Sequence, residues 1–568
     1  MRFTTKFIFL PVFSLFILSN CIRHPEKHNM PEKNPPITPK WLISHIIWED
    51  SINTQAAALD LYRQYRAHDI PVSGIIIDSP WELSYNDFNW DTARYPDPRA
   101  MIDTFKQANV RVILWLTGCI NRTAEDVPVP KNPYFDYVRE KGYVVNNGKT
   151  SVWWKGEGVH LDFTNPEAMA WWDKQLDKVF VDGIYGWKVD QGEATFADSL
   201  SLTEEYRHKG EDGLYYGDSI ITSKGRISLL DFKHAYYDHM FDYTLSRNPA
   251  GMIMARPYSH QGGLSASIPK LTLGWCGDFS GDYEGLKLQI DNIYTSALVG
   301  FGALACEIGG FYNARSDKNQ LIRYTQFAAM TTTMDNGGSN GAFTNHLPWY
   351  HDEETTKIYR YYVNLHYQLS QYMFSTLVDA HLHGGSMMRN ISKEQRSHTV
   401  GNDIFFKAIT SDTNTVRFTL PAEGMWIDFW TDKEYPGGSD ITGEYPLARA
   451  PIFIRKGAII PMEINNGVTG IGDRSCSGKI TLLIYPGKKR SFLFHRATGE
   501  GTDYEDIHIT CKRGKISINS KKDHDYVFLV KTTETPEKVS GSDHWKFHPE
   551  KRYLQIEKTG RTFNINIQ

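Results

Sequence analysis

Four acidic residues close separate apolar runs of the chain. Asp78 follows Gly74-Ile75-Ile76-Ile77, Asp190 follows Tyr185-Gly186-Trp187-Lys188-Val189, Asp278 ends residues 271–278 (LTLGWCGD), and Glu307 follows Ala303-Leu304-Ala305-Cys306. A single acidic residue after an apolar strand is commonly only a turn former or a helix N-cap. Four at the ends of neighbouring strands would instead face one pocket. Paired carboxylates cleave glycosidic bonds: one, ionised, faces the anomeric carbon of an oxocarbenium-like transition state, and the other, kept protonated, donates to the leaving oxygen. Sugars also stack their C–H faces on rings. Trp81, Trp115, Trp153, Trp154, Trp187 and Trp275 fall near these strand ends, each with barrel packing as the alternative use. No phosphate loop and no dinucleotide fingerprint after a strand competes with this reading.

Elements able to hold such residues recur along residues 41–375. Short apolar runs at 44–49 (SHIIWE), 73–79, 111–116 (RVILWL), 185–190, 251–256 (GMIMAR) and 271–278 read as strands, and two later runs bring strand ends to Glu307 and Asn336. Residues 97–108 have helical spacing ahead of the third strand, as a crossover helix would. The alternation predicts an α/β fold, a (β/α)8 TIM barrel over 41–375, with a doubly wound open sheet as the alternative; a barrel carries its chemistry at the C-terminal strand ends. Beyond residue 375 the pattern changes to strands separated by Gly, Asp, Asn, Ser and Pro. C-terminal all-β sandwich domains are expected there, one over 376–466 and one over 467–568, divided near the Gly/Asn-rich stretch 466–474.

Composition narrows the classes. The 568 residues carry 41% hydrophobic and 23% charged residues, an ordinary globular balance, and 62 Lys and Arg against 66 Asp and Glu give no reason to expect a nucleic-acid partner. At the N-terminus, Arg2 and Lys6 flank an apolar run over residues 7–18, the length of a signal-peptide core and too short to span a bilayer. Leu18-Ser19-Asn20-Cys21 resembles a bacterial lipobox, although Asn20 departs from the preferred small residues. Residues 1–20 therefore read as a signal peptide, Cys21 as the lipid-attachment site, and residues 21–40 as a Pro-rich tether; a plain secretory signal is the alternative. The expected location is the cell envelope, periplasmic or at the surface, with membrane contact through the N-terminal lipid alone. The other cysteines, Cys119, Cys276, Cys306, Cys476 and Cys511, form no CxxC and no metal-ligand spacing, so no metal is expected; the first three sit in apolar or motif segments and read as buried thiols, with one bridge in an exported protein as the alternative.

Several motifs carry a family resemblance. Gly186-Trp187-Lys188-Val189-Asp190-Gln191-Gly192-Glu193 resembles the nucleophile segment of glycoside hydrolase family 31. Ala255-Arg256-Pro257-Tyr258, followed by Trp275-Cys276-Gly277-Asp278-Phe279-Ser280 and Leu286, resembles the family's Arg-bearing strand and its acid/base segment. Gly300-Phe301-Gly302 with Glu307-Ile308-Gly309-Gly310-Phe311, Met334-Asp335-Asn336-Gly337-Gly338, and residues 451–461 (PIFIRKGAIIP) follow in family order. The resemblance implies a retaining exo-α-glycosidase that needs no cofactor. Asp190 would be the nucleophile and Asp278 the acid/base, with Asp282 as a reserve candidate. Lys188 and Arg256 would hold sugar hydroxyls and favour ionised Asp190. Asp78, Trp115, Trp275, Glu307 and Asp335 would complete the sugar site.

Three departures bear on specificity. The family usually carries a β-sandwich ahead of its barrel, yet only about twenty residues separate Cys21 from Trp41, which implies a more open pocket or one completed by a partner. Glu307 stands where the family usually has Asp. Where many members read Met-Arg-Asn-His, this chain reads Met334-Asp335-Asn336-Gly337, leaving His346 or Asp335 to take the missing histidine's place. The expected substrate is an oligosaccharide or glycan with a terminal α-linked glucose or galactose. A non-catalytic carbohydrate-binding lipoprotein, and a transglycosylase or lyase using the same covalent intermediate, are the alternatives. Linkage and oligomeric state are not legible.

Overall fold

A computed structural model describes residues 33–49, 51–124, 129–190, 219–259, 263–312, 316–338 and 346–568. The expected signal peptide, Cys21, most of the tether, and Gln191, Gly192 and Glu193 of the nucleophile motif lie outside them.

Eight parallel strands form the barrel: β1 (His45–Glu49), β2 (Gly74–Ile77), β3 (Arg111–Leu116), β4 (Gly186–Val189), β5 (Met252–Ala255), β6 (Leu273–Gly274), β7 (Ala305–Ile308) and β8 (Thr333–Asn336). Their order runs β6-β5-β4-β3-β2-β1-β8-β7. A parallel bridge from Gly274 to Leu304 joins the two ends, with the Gly274 N–H donating to the Ala303 carbonyl at 2.9 Å. That closure distinguishes a barrel from the open sheet. Outside it run the helices α1 (Gln55–Ala67), α2 (Pro98–Gln107), α3 (Pro166–Phe180), α4 (Leu229–Arg247), α5 (Tyr283–Val299), α6 (Lys318–Ala328) and α7 (Glu353–His383). Helix α2 begins where its sequence signals it: Asp97 accepts from the Ala100 N–H and Pro98 occupies the first turn.

Some apolar runs divide differently from the sequence reading. The sixth pairs only at Leu273–Gly274, and its remainder leaves the ladder to carry Asp278. The start of the seventh run, residues 296–299, is the end of α5, and residues 325–328 before the eighth strand are the end of α6. Buried helix and buried strand both read as continuous apolar sequence, so periodicity does not separate them.

Residues 34–40 of the expected tether, together with Trp41 and Leu42, are instead folded beneath the barrel. Thr38 Oγ1 donates to the Thr272 carbonyl at 3.0 Å, Thr333 Oγ1 donates to the Leu42 carbonyl at 2.6 Å, and Lys40 Nζ reaches Ser370 Oγ at 2.8 Å and Glu463 at 2.7 Å. The segment looks like linker because proline suppresses regular structure, but Asn34, Thr38 and Lys40 all find hydrogen-bond partners in the folded chain. It closes the end of the barrel opposite the carboxylates.

After α7 a six-stranded sheet begins at Met388 and ends at Arg455. With the pair Thr415–Thr419 and Asp440–Glu444 it encloses a core of Phe405, Phe418, Trp426, Tyr445 and Phe453. A second, eight-stranded sheet runs to the C-terminus; it includes Ile459–Met462, which pairs with Ile480–Ile484 although the sequence grouped it with the preceding domain. All five described cysteines are buried thiols without a disulfide.

Candidate active site

Alternation along β4 explains which residues meet. Lys188 and Asp190 project into the barrel, whereas Trp187 points outward against Phe88 and Phe180. Trp115 is the register partner of Lys188 on β3, so its indole shares the interior, and Nε1 donates to Asp190 Oδ2 at 3.1 Å. Arg256, one residue past β5, donates from Nη2 to Asp190 Oδ1 at 3.1 Å and lies 3.8 Å from Asp278 Oδ2. Gly277 makes room for this: its φ is +101°, and a side chain there would meet Arg256 Nη1 at 2.6 Å.

On the other side of the pocket, Lys188 Nζ donates to Asp78 Oδ2 at 2.9 Å, and the Ser79 N–H fixes Asp78 Oδ1 at 2.8 Å. The ammonium sits between two rings, 3.9 Å from the centre of Trp48 and 4.7 Å from that of Trp275. Burial alone would lower its pKa, but Asp78, Glu307, Asp190 and Asp335 outweigh that and hold Lys188 protonated. Trp275 also lies 4.1 Å from the Arg256 guanidinium carbon.

The two central carboxyls differ in setting. Asp190 keeps 9% of its side chain exposed and Asp278 keeps 32%, so Asp278 is the more accessible of the two. Its surroundings push Asp278 above the usual carboxylate range, chiefly through burial, with Arg256 opposing and Asp190 adding to the rise. Glu307 and Asp335 are 1% exposed, and among the described residues no oxygen of either accepts a hydrogen bond of normal geometry, although the Trp48 indole favours the charged form of Asp335. Burial pushes Asp335 up to about 7 against the pull of Lys188, and Glu307 well up for the same reason.

The seven residues Asp78, Trp115, Lys188, Asp190, Arg256, Trp275 and Asp278 thus line one cavity at the C-terminal ends of the strands, with Glu307 and Asp335 enclosed beside Lys188. Asp282 does not join them: it caps α5, accepting from the Gly285 N–H at 2.8 Å and from Ser280 Oγ at 2.9 Å. His346 is not a surface histidine. Its buried ring packs between Gly309 and Gly338, and Nδ1 lies 2.7 Å from the Ile308 carbonyl oxygen. Trp81 and Trp187 are barrel packing, Trp153 is buried against Tyr85, and Trp154 is exposed. Sequence reasoning missed Trp48, although its place at the end of β1 was a usable signal. It also missed Tyr236, whose hydroxyl donates to the Asp190 carbonyl at 3.0 Å from α4, a position nothing in the sequence marks.

Carboxylates ringed by indoles and two cations at the C-terminal rim of a closed β/α barrel are the equipment of a carbohydrate-active barrel protein. The family models agree: the Glycosyl hydrolases family 31 TIM-barrel domain matches residues 35–376, and the Glycosyl hydrolase family 31 C-terminal domain matches residues 375–460. The chain belongs to glycoside hydrolase family 31. It is 23% identical over 504 residues to alpha-glucosidase 2 of Bacillus thermoamyloliquefaciens, covering 85% of this chain and 61% of that one. It is 24% identical over 451 residues to an alpha-xylosidase of Emericella nidulans, covering 74% and 53%. The chain therefore spans between half and two thirds of the length of these relatives. Among solved structures, a family 31 dextranase of Flavobacterium johnsoniae complexed with glucose superposes with a TM-score of 0.79 at 21% identity, covering 94% of this chain and 71% of that one.

Proposed function

We propose that the protein is a retaining, exo-acting α-glycoside hydrolase that removes a terminal α-linked hexose, glucose or galactose, from oligosaccharides or glycans. The observation that carries this reading is the single Arg256 nitrogen lying 3.1 Å from Asp190 and 3.8 Å from Asp278. Those two lengths cap the separation of these two oxygens at about 7 Å, which admits the roughly 5–5.5 Å of retaining enzymes and leaves out most of the wider inverting range. Asp190, fed by two donors, attacks the anomeric carbon to form a β-glycosyl ester. Asp278, whose surroundings favour the protonated form, gives its proton to the leaving oxygen; as the carboxylate it then takes a proton from the water that releases the sugar. Asp78, held by Lys188 and Ser79, offers acceptors to hydroxyls at the far side of the ring, and Trp115 and Trp275 form the walls.

Aryl α-glucoside, α-galactoside, α-xyloside and α-N-acetylgalactosaminide, with the released anomer followed by NMR, test the reading. The expected result is hydrolysis of the glucoside or galactoside with the α-anomer appearing first. A β-anomer first product would overturn retention, transfer or unsaturated products would favour the transglycosylase or lyase, and sugar binding without turnover would favour a binding protein. We further propose a lipid anchor at Cys21 in the cell envelope, which the mass of the mature N-terminal peptide tests: an unmodified residue ahead of Cys21 would end it.

A further inference from the structure

Glu307 and Asp335 are register partners on adjacent parallel strands, so their side chains leave the sheet on the same face, side by side. Four carboxyl oxygens are thereby buried together, and among the described residues none accepts a hydrogen bond of normal geometry, although the Trp48 indole N–H beside Asp335 favours its charged form. The one cation beside both, Lys188, is already bonded to Asp78 and clamped between Trp48 and Trp275. The other groups whose charge reaches the pair are Asp78 beyond β2, Arg256 beyond β5, Asp278 beyond β6, Cys306 on β7 itself, Tyr324 of α6 and Tyr359 of α7. Of these only Arg256 is cationic, and it is occupied by Asp190. Two adjacent carboxyls in such a place cannot both ionise without a counter-charge.

We propose that Glu307 and Asp335 act as one proton-sharing carboxyl pair that keeps Lys188 on Asp78. While the pair holds a proton, Lys188 has one strong acceptor, and Asp78 is fixed for the sugar. When that proton leaves to solvent, the pair gains a full negative charge beside the ammonium and draws it away from Asp78, loosening sugar binding. Both residues are then positioning residues that act through Lys188, with their oxygens enclosed away from the substrate. The shift in charge rests on the geometry of the pair alone; its effect on sugar binding rests on the glycosidase reading above.

Infrared difference titration of the full chain reads the pair directly, because a protonated carboxyl has its own C=O band. Wild type should show two pair-dependent steps, the upper one above the ordinary carboxylate range. Glu307→Gln or Asp335→Asn should each abolish the upper step, since the remaining carboxyl no longer shares a proton with a like-charged neighbour. An Asp278→Asn background removes that residue's own band. In parallel, KM for the aryl glycoside should rise about tenfold across the upper step in wild type, with kcat little changed, and the rise should be missing in both single variants. An upper step that survives either substitution means independent carboxyls and overturns the proposal, as does a KM that ignores the step. Infrared steps as expected in a protein that hydrolyses no glycoside would keep the pair and sink the glycosidase reading.

Discussion

Asp190→Ala is expected to lower kcat on the active aryl α-glycoside by about 10⁴-fold or more, the scale seen when a central member of a catalytic set is removed. Trp115 and Arg256 both donate to this carboxylate, so the group is held for attack, and shortening it leaves a space beside those two donors. Azide should fit that space and restore part of the rate. Because azide attacks once from the face Asp190 occupied, the product should be the β-glycosyl azide. Activity within tenfold of wild type, or an azide product of α configuration, would remove Asp190 from its role.

Asp278→Ala should separate substrates by their leaving groups. A disaccharide needs its departing oxygen protonated, and its hydrolysis should fall by about 10²–10⁴-fold. A glycoside of an acidic phenol leaves without that proton, so formation of the glycosyl-enzyme should be slowed far less. The pH profile supplies a second readout. A carboxyl with a raised pKa is the active acid only below that pKa, so wild-type activity on the disaccharide should decline as pH rises through it, and the decline should be absent from the variant's residual activity. Equal losses on both substrates with the alkaline decline intact would mean that the acid is another group.

Much of this arrangement is written locally. Strands β1 to β5 appear in the sequence as bounded β-branched and aromatic runs, and the alternation within Gly186–Val189 fixes which side chains enter the barrel. Asp190 could be placed because it stands where a strand ends, and Asp278 because it closes an apolar run that begins as one. What local sequence does not hold is whatever depends on distant chain segments. Tyr236 reaches Asp190 from a helix whose face is set by packing, and the short pairing of β6 is decided by the bridge to Leu304. Glu307 was legible as a strand-end carboxyl and Asp335 through its motif, but only the β7–β8 register shows that they are neighbours. Residues 34–40 read as linker because their partners lie more than two hundred residues away.

That folded segment ties together parts of the chain that its sequence keeps far apart. The Lys40 and Trp41 N–H groups donate to the Gly501 and Glu500 carbonyls at 2.9 and 3.1 Å, and the buried Arg111 at the start of β3 is paired with the Glu500 side chain. The last β domain is therefore not an optional module appended to a self-sufficient barrel. Cutting it away would uncover Trp41 and strand the Arg111 charge without its counter-ion, a costly exposure at the end of the barrel that does no chemistry. Modular shortening of this protein has to respect that joint, and swaps that preserve it leave the rim loops free to vary.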